Sequence, residues 1–372
     1  MPINTRRSTA NILRNAFAPA LLFATTAIAQ TKDSTAKVVF GGYVDAYYAY
    51  YTDSVGDGNF QKFPSVAPRS QQFGLNTAMI TAQYDAEKVR GFVALHYGDI
   101  ARSTWSPTYN AIMEAHVGLR LCKKLWLDAG FFRTHFGTEG LLPKENFTSS
   151  VSVCTFMEPY YESGFRLNYN PNAKLAINLY LLNGYNLYED NNRRKSIGVL
   201  ATYALGDRGN IGYSNYIGDD TPTGADSVKH TRFHQNLFWN WTVKSLKIQI
   251  GGDFCMQKNS SLKGDQKWSS MFAGVASAKY QFTKMFAGYA RGEIFNDPEG
   301  FMGGVIIDHK GVATGYKLWG ITGGVEYKPM DNGYIRLECR QLVADQDQEI
   351  FQWDKHITNG RTEFILNLGV SF

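Results

Sequence analysis

Histidine is the side chain best suited to proton transfer near neutral pH, and three of the seven in this sequence lie at positions predicted to face the interior of the fold. His96, His116 and His234 could each act as a general base toward a serine nucleophile. However, the sequence has no Gly-x-Ser-x-Gly turn to present such a serine. Glu114 lies two residues before His116, and two ligands are too few for a metal site without partners. We therefore predict no enzymatic activity, no metal site and no cofactor.

Other groups that could bind ions or form cross-links also give weak signals. Asp53, Asp57 and Asn59 carry oxygen ligands suited to Ca²⁺, but their spacing is not that of an EF-hand. The four cysteines form neither a disulfide framework nor a metal motif. We predict that they are mostly unpaired, and a Cys154–Cys255 bridge remains as the one alternative.

The final residues of the sequence show the pattern expected of the elements that position these groups. Large apolar side chains at Phe364, Leu366, Leu368, Val370 and Phe372 alternate with mostly small or polar ones. A period of two indicates a strand with one apolar face. Aromatic residues make up 14% of the chain and charged residues only 19%, below the usual share of about 25%. This composition favours a membrane protein that alternates apolar and polar faces along its strands.

The N-terminus has the features of a targeting segment. Basic residues precede an apolar stretch that ends in a small-x-small motif at Ala27–Ala29. We predict a signal peptide at residues 1–29 and a barrel domain at residues 30–372. Without the three arginines of the signal peptide, the net charge falls from +5 to about +2. A nearly neutral chain does not favour nucleic-acid binding.

Sixteen alternating segments predict the strands of the domain. They are residues 37–52, 72–84, 89–98, 111–121, 125–133, 163–170, 175–185, 195–203, 210–218, 231–241, 246–257, 269–282, 285–296, 315–328, 332–342 and 362–372. Short and long connections alternate between them without exception. This rhythm predicts an all-β, antiparallel transmembrane barrel in the outer-membrane lipid bilayer, with short periplasmic turns and long extracellular loops.

Two further patterns assign the surfaces of this barrel. Aromatic residues near the short turns predict a girdle at one membrane interface: Tyr84, Trp126, Tyr169, Tyr203, Trp241, Tyr280, Phe282, Tyr327, Tyr334 and Phe372. Apolar side chains of one parity are expected to face lipid: Val93, Leu95, Val117, Leu119, Leu127, Phe131, Leu179, Ile248, Ile250, Trp319 and Val325.

Charged side chains of the opposite parity are expected to face the lumen, because an Arg or Lys facing lipid costs about 2–4 kcal/mol at the bilayer midplane. Together with the third long connection they give the predicted pore-lining and constriction residues: Asp45, Arg90, Glu114, His116, Arg120, Arg133, Glu139, Lys144, Glu145, Glu158, Arg166, Arg232, Arg291, Glu293, Arg336, Glu338 and Arg340. For any one of them, a neutralised pair that stiffens the wall is the alternative.

The third long connection, residues 134–162, is too apolar for a simple surface loop. Insertion into the lumen would bury its apolar side chains and narrow the pore. Its charged residues would then face arginines across the channel. An outer lid packed on neighbouring loops is an equally open alternative.

One part of the sequence is similar to a known family. Residues 130–139 and the residues that follow resemble the OmpL-like β-barrel porin family of outer membranes. The matching positions are Gly130-Phe131-Phe132-Arg133, His135-Phe136-Gly137-Thr138-Glu139, Asn146, Ser149, Ser150, Glu158-Pro159-Tyr160 and Gly164-Phe165-Arg166-Leu167. The resemblance implies a general porin and names no solute.

The sequence thus predicts a channel for passive diffusion of small polar solutes, with sieving by pore width. A loop-mediated binding or adhesion protein with a closed lumen is the alternative from another functional class. Analogy with wide porins allows a homo-oligomer.

Overall fold

The computed structural model describes residues 37–372 except 57, 226, 227 and 265. The predicted signal peptide and Asp57 lie outside the described residues. Sixteen strands form one closed antiparallel barrel. Each barrel strand pairs with the preceding and the following barrel strand of the chain, and the first pairs with the last. The predicted fold class and strand number are confirmed.

The elements follow the predicted strands to within a few residues. In chain order they are β1 (Lys37–Tyr51), β2 (Gln72–Asp85), β3 (Val89–Tyr97), α1 (Asp99–Thr104), β4 (Ile112–Cys122), β5 (Leu125–Arg133), α2 (Val153–Met157), β6 (Tyr161–Tyr169), β7 (Leu175–Leu182), β8 (Ser196–Ala204), β9 (Gly209–Gly218), β10 (Arg232–Val243), β11 (Leu246–Lys258), β12 (Trp268–Gln281), β13 (Phe286–Asn296), β14 (Ile306–Ile307), β15 (Ala313–Thr314), β16 (Lys317–Met330), β17 (Gly333–Ala344), β18 (Phe351–Trp353), β19 (His356–Thr358) and β20 (Gly360–Ser371). Short 3-10 helices occur at Pro143–Glu145 and Gly206–Arg208.

The long connections contain the small elements that the sequence did not predict. β14 pairs with β15 and β18 pairs with β19, and these two hairpins lie outside the barrel sheet. Both α-helices are short, at six and five residues. In the described part of the chain, no helix is long and apolar enough to cross a membrane.

The first and last strands of the barrel close it. β1 pairs with β20 from Tyr43 opposite Ser371 to Tyr51 opposite Glu363. Beyond this ladder, the backbone N–H of Gly42 donates to the carbonyl of Phe372 at 2.8 Å. The seam therefore leaves no open edge along residues 42–51 of β1, as a bilayer requires of a spanning sheet.

The strand faces follow the predicted parity over most of the barrel. On β20, Phe364, Leu366, Leu368 and Val370 are 42–49% exposed on the outer surface. The residues that alternate with them are buried. Three predicted positions are wrong. Trp126 is not part of the girdle, because on β5 it has the parity of Asp128 and its ring centroid lies 4.5 Å from the Arg90 guanidinium. Tyr334 is not part of the girdle, because on β17 it has the parity of the lumen and is only 7% exposed.

Phe131, which was expected to face lipid, is the third error, because it stacks on Tyr188 with 4.0 Å between the ring centroids. The preceding Gly130 has φ +136°, and a Cβ there would lie 2.3 Å from the carbonyl oxygen of Ala115 on β4. A side chain at Gly130 would thus point toward β4, and not toward the lipid or the lumen. The simple alternation therefore fails next to Gly130.

The four cysteines are all free. Cys122 and Cys339 are exposed, whereas Cys154 and Cys255 are buried in the same apolar cluster. The alternative of a Cys154–Cys255 disulfide is therefore wrong, and both thiols remain as buried side chains.

Candidate functional site

The connection between β5 and β6 lies inside the barrel, and residues 134–160 are called the inner loop below. The wall holds its first part at Thr138, where Asn236 of β10 donates to Thr138 Oγ1 and Gln249 of β11 donates to the Thr138 carbonyl, both at 3.0 Å. Gly251 makes room for this contact, because a Cβ there would lie 1.9 Å from Thr138 Oγ1.

Two arginines on the far wall bind the middle of the inner loop. Arg291 of β13 donates to Glu139 Oε1 at 3.0 Å and to the Ser150 carbonyl at 2.6 Å. Arg336 of β17 donates to the carbonyls of Pro143 and Thr148, both at 2.8 Å. Because β10–β11 and β13–β17 both hold it, the loop crosses the lumen rather than following one wall.

Two wall carboxylates complete this attachment by accepting backbone N–H groups of the loop. Glu338 accepts from Ser149 at 2.6 Å and from Ser150 at 3.0 Å. Glu293 accepts from Val153 at 2.8 Å. Irregular backbone is tolerated at membrane depth only where it is buried in protein or lines a cavity. The wall charges thus satisfy the polar groups of the inner loop.

The apolar side chains of the loop pack in three groups, of which the first holds Phe136 against Tyr180 and Tyr216. Leu141, Leu142 and Val151 join a second buried cluster with Tyr43 and Tyr47 of β1. In the third cluster, α2 packs on the wall of β11–β17 through the following buried residues: Val153, Cys154, Cys255, Met271, Ala273, Phe295, Leu318 and Leu342. Burial of these apolar groups stabilises the inserted loop.

The tip of the inner loop is its most accessible charged part. Glu145 forms a two-pronged ion pair with Arg133 at 2.6 and 2.5 Å, and both side chains are about one-fifth exposed, at 18% and 22%. Burial alone would raise the pKa of Glu145, but the Arg133 guanidinium holds that pKa below its ordinary value. Lys144 is half-buried with its Nζ 4.3 Å from the centroid of the Tyr43 ring, and burial lowers its pKa.

On the adjoining wall, Asp128 is shared by two predicted site residues. Arg90 donates to both of its carboxylate oxygens at 2.7 and 2.6 Å, and Arg166 donates to Oδ2 at 3.0 Å. Arg90 remains 18% exposed, whereas Arg166 is only 4% exposed. Glu114 and His116 are buried on the neighbouring β4, with 3.9 Å between their closest charged atoms.

The remaining predicted residues fall in different places. Asp45 is fully buried and accepts from Tyr334 at 2.5 Å and from Asn76 at 2.6 Å. Arg340 is buried and donates to Glu293 at 2.9 Å. Arg232 is half-buried and lies over the Tyr185 ring.

Arg120 differs from the other arginines of the predicted set. Its side chain is exposed at the short-turn end of β4, where it donates to the backbone carbonyls of Glu87 and Lys123. The structure therefore places Arg120 at the rim and not beside the inner loop.

The sequence analysis missed His135, which anchors the start of the inner loop. Its Nδ1 lies 2.8 Å from Glu162, and its Nε2 lies 2.8 Å from the carbonyl of Asn215. Burial alone would lower the pKa of His135, but Glu162 and the carbonyl raise it. Because both ring nitrogens face acceptors, the contacts favour the doubly protonated form of the ring. The sequence offered no signal for this contact, since β9 lies about 80 residues further along the chain.

Arg361 and Glu363 were also missed, although strand parity could have found them. Both are fully buried and pair with each other at the start of β20, where Glu363 also accepts from Arg340. They have the parity opposite to the lipid-facing Phe364.

Glu158 does not lie where the sequence predicted it. It was expected to face an arginine, but it lies beside Cys154, whose Sγ is 3.8 Å from Glu158 Oε1, and near Asp253 of β11. Burial raises the pKa of Glu158 well above its ordinary value, and Asp253 and Glu139 raise it further.

A cavity remains between the tip of the inner loop and the wall near the short turns. Its lining includes Glu145, Phe147, Asn240, Trp241, Lys247 and Gln249. Polar and aromatic groups therefore border the space that the loop leaves open.

The family of the chain follows from its sequence as a whole. Residues 37–372 match the family described as "Putative beta-barrel porin-2, OmpL-like". The chain belongs to this porin family. It is therefore an outer-membrane porin-type barrel, as the resemblance in the sequence implied. No curated protein sequence matches the chain.

Solved structures of outer-membrane proteins share the porin fold at low sequence identity. The outer membrane channel DcaP of Acinetobacter baumannii is 12% identical with a TM-score of 0.61, covering 91% of this chain and 97% of that one. An anion-selective porin from Comamonas acidovorans is 10% identical with a TM-score of 0.60, covering 91% and 100%. In-vitro folded OmpT of Vibrio cholerae, in a trimer form, is 11% identical with a TM-score of 0.59, covering 91% and 100%.

Proposed function

We propose that this porin conducts small polar solutes passively through a narrow aqueous path beside the inner loop. The observation that carries the proposal is the division of the predicted site into two sets. Arg291, Glu293 and Arg336 are buried against the loop, whereas Arg133 and Glu145 at its tip keep contact with water. The first set fixes the constriction and the second set lines it.

The mechanism is sieving by width, with a modest effect of charge. A solute that enters from outside passes the loop tip and reaches the cavity near the short turns. Glu145 and Arg133 neutralise each other, so the free charge at the tip is that of Lys144. An accessible lysine favours anions, because charged groups at a constriction raise the local concentration of opposite ions.

The assembly state is part of the same proposal. We propose a homo-oligomer, supported by the trimer form of the structurally similar OmpT. Cross-linking of the chain in native membranes would give a ladder that ends at the oligomer.

A second candidate function is binding through the extracellular loops by a barrel with a closed lumen. It is favoured by the near-complete burial of the inner loop, in which Leu142, Ser149 and Ser152 are fully buried. In this case the inner loop is a permanent plug and the barrel is an anchor.

Single-channel conductance separates the two candidates. We expect the refolded chain 30–372 to give discrete, stable openings in a planar bilayer. Deletion of residues 140–157 should raise the conductance, because these residues cross the lumen. Deletion of residues 260–264 in an outer loop should leave it unchanged. Silence from a correctly folded barrel, followed by conductance in the 140–157 deletion, would support the plug instead.

A further inference from the structure

Three acidic or thiol side chains meet where α2 touches the barrel wall. Cys154 and Glu158 come from the inner loop, and Asp253 comes from β11. One potential ligand atom from each lies within 4.8 Å of the others. All three residues are buried, with exposures of 4%, 4% and 3%. Such a group can bind a cation with its own side chains alone.

A fourth ligand lies beside this group. His234 of β10 is fully buried, and its Nε2 is 3.1 Å from Asp253 Oδ1. Apart from this contact with each other, neither atom has a hydrogen-bond partner within the described residues. Buried polar atoms in proteins nearly always have hydrogen-bond partners. Two buried atoms that have only each other therefore indicate a further partner, such as a cation, between them.

The buried carboxylates of this group also have few cationic partners. Glu139 is matched by Arg291. Within the described residues, Glu158 forms no ion pair with a lysine or arginine, and Asp253 pairs only with His234. Buried carboxylates are unfavourable unless they are protonated, paired or bound to a metal.

We propose that Cys154, Glu158, His234 and Asp253 bind one divalent cation of the Zn²⁺ type. The set offers one sulfur, one nitrogen and two carboxylate groups, which suits zinc and not Ca²⁺ or Mg²⁺. Ligands about 2.0–2.3 Å from a tetrahedral zinc lie roughly 3–4 Å apart. The 3.8 Å between Cys154 Sγ and Glu158 Oε1 and the 3.1 Å between His234 and Asp253 fit that spacing. His234 lies outside the group whose ligand atoms are all within 4.8 Å of one another, so its ring would move toward Cys154 and Glu158 when the ion binds.

Neighbouring groups orient two of the ligands. Asn236 donates to Asp253 Oδ2 at 2.9 Å, which leaves Oδ1 for the ion. His234 Nδ1 lies 3.5 Å from the Tyr185 hydroxyl, which leaves Nε2 for the ion. Metal sites in proteins have such outer contacts to their ligands.

The ion would link the constriction to the wall. Two ligands lie four residues apart at α2, and the other two lie on adjacent strands. Metal binding would therefore fix the end of the inner loop against β10 and β11. The consequence for conduction rests on the proposed function, whereas metal binding itself does not.

Cobalt spectroscopy tests the site. The chain 30–372 would be refolded with and without one equivalent of Co²⁺, in a background with Cys122→Ser and Cys339→Ser to remove the exposed thiols. We expect one bound Co²⁺ per chain and a near-ultraviolet thiolate-to-cobalt absorption band that Zn²⁺ abolishes. Cys154→Ser should lose the band, and Glu158→Gln should weaken binding at least tenfold.

Cys255→Ala is the matched control, because Cys255 is a buried thiol in the same cluster but is not one of the ligands. It should keep the band. Absence of the band in the parent barrel, or its persistence in folded Cys154→Ser, would overturn the site. If Cys154→Ser does not fold, an unchanged Co²⁺ affinity in Glu158→Gln would overturn it equally. A barrel that conducts but binds no Co²⁺ overturns the metal site alone, and one that binds Co²⁺ but stays silent overturns the channel alone.

Discussion

Replacement of Arg291 by methionine should release the inner loop from the far wall. The guanidinium is fully buried and contacts Glu139, Thr148, Ser150 and Glu293. Methionine fills much of the same volume but supplies no donor. The loop would keep its apolar contacts and lose its central polar attachment.

The magnitude follows from which partners are left without a donor. Glu293 still accepts two hydrogen bonds from Arg340 at 2.9 Å, so it stays neutralised. Glu139 keeps only the Ser152 N–H and the Thr155 hydroxyl. Breaking a buried pair on one side costs about 3–5 kcal/mol. We therefore expect the inserted state of the loop to lose about that amount.

Two assays report this loss. In a planar bilayer, Arg291→Met should show flickering openings of higher mean conductance, since the loop leaves the lumen for part of the time. In detergent micelles, the free energy of unfolding should fall if loop and barrel unfold together. The double variant Arg291→Met with Glu139→Gln should recover part of both effects, because it no longer buries an unpaired carboxylate.

An Arg291→Met channel with normal current noise and conductance would refute this reasoning. It would mean that the apolar contacts alone hold the loop. A double variant no better than the single one would show that the lost bonds to Thr148 and Ser150 dominate, and not the unpaired Glu139.

Three further predictions concern the loop tip and base. Lys144→Glu should lower the chloride-to-potassium permeability ratio about fiftyfold, since reversing one charge about 7 Å from an ion in water raises the energy of chloride by about 1.2 kcal/mol and lowers that of potassium by the same amount. Lys284→Glu, in an exposed short turn, is the control. Gly251→Val should raise the conductance by displacing the loop base, because its Cβ would clash with Thr138, and an unchanged conductance would contradict this contact. The Glu145 ion pair, whose carboxylate pKa is depressed, stabilises the tip above the ordinary glutamate pKa, and this contribution is lost as pH falls through the lower folded value. Current noise should rise at that acidic pH, and Glu145→Gln should remove the pH dependence.

The barrel could be predicted from the sequence because lipid and lumen impose opposite demands on alternate residues. Leu366 and Leu368 face outward while Asn367 between them is buried inside, and this pattern recurs along β20. The predicted faces were wrong where a residue has the expected chemical type but its side chain makes a different contact. Tyr334 is aromatic and close to a turn, but its hydroxyl serves Asp45.

The partners inside the lumen could not be predicted in the same way. Strand parity places Arg291 in the lumen but does not identify Glu139, which precedes it by 152 residues, as its partner. Such pairing depends on the path of the inner loop, and that path has no period. Glu158 is an example, because its negative charge predicted an arginine as its partner, whereas the structure places it near Asp253.

The seam between β1 and β20 has a consequence for how the molecule is assembled. The Asn367–Asp45 hydrogen bond joins residues 322 positions apart, and closing a chain of that length costs roughly 5 kcal/mol of entropy. The inner loop also contacts β20, through Ser149 and Asn367. Its final docking must therefore await the arrival of the last strand. A translocated chain that is still missing β20 has open edges on β1 and β17 and a loop without its contact to Asn367, so it needs protection from aggregation until it is complete.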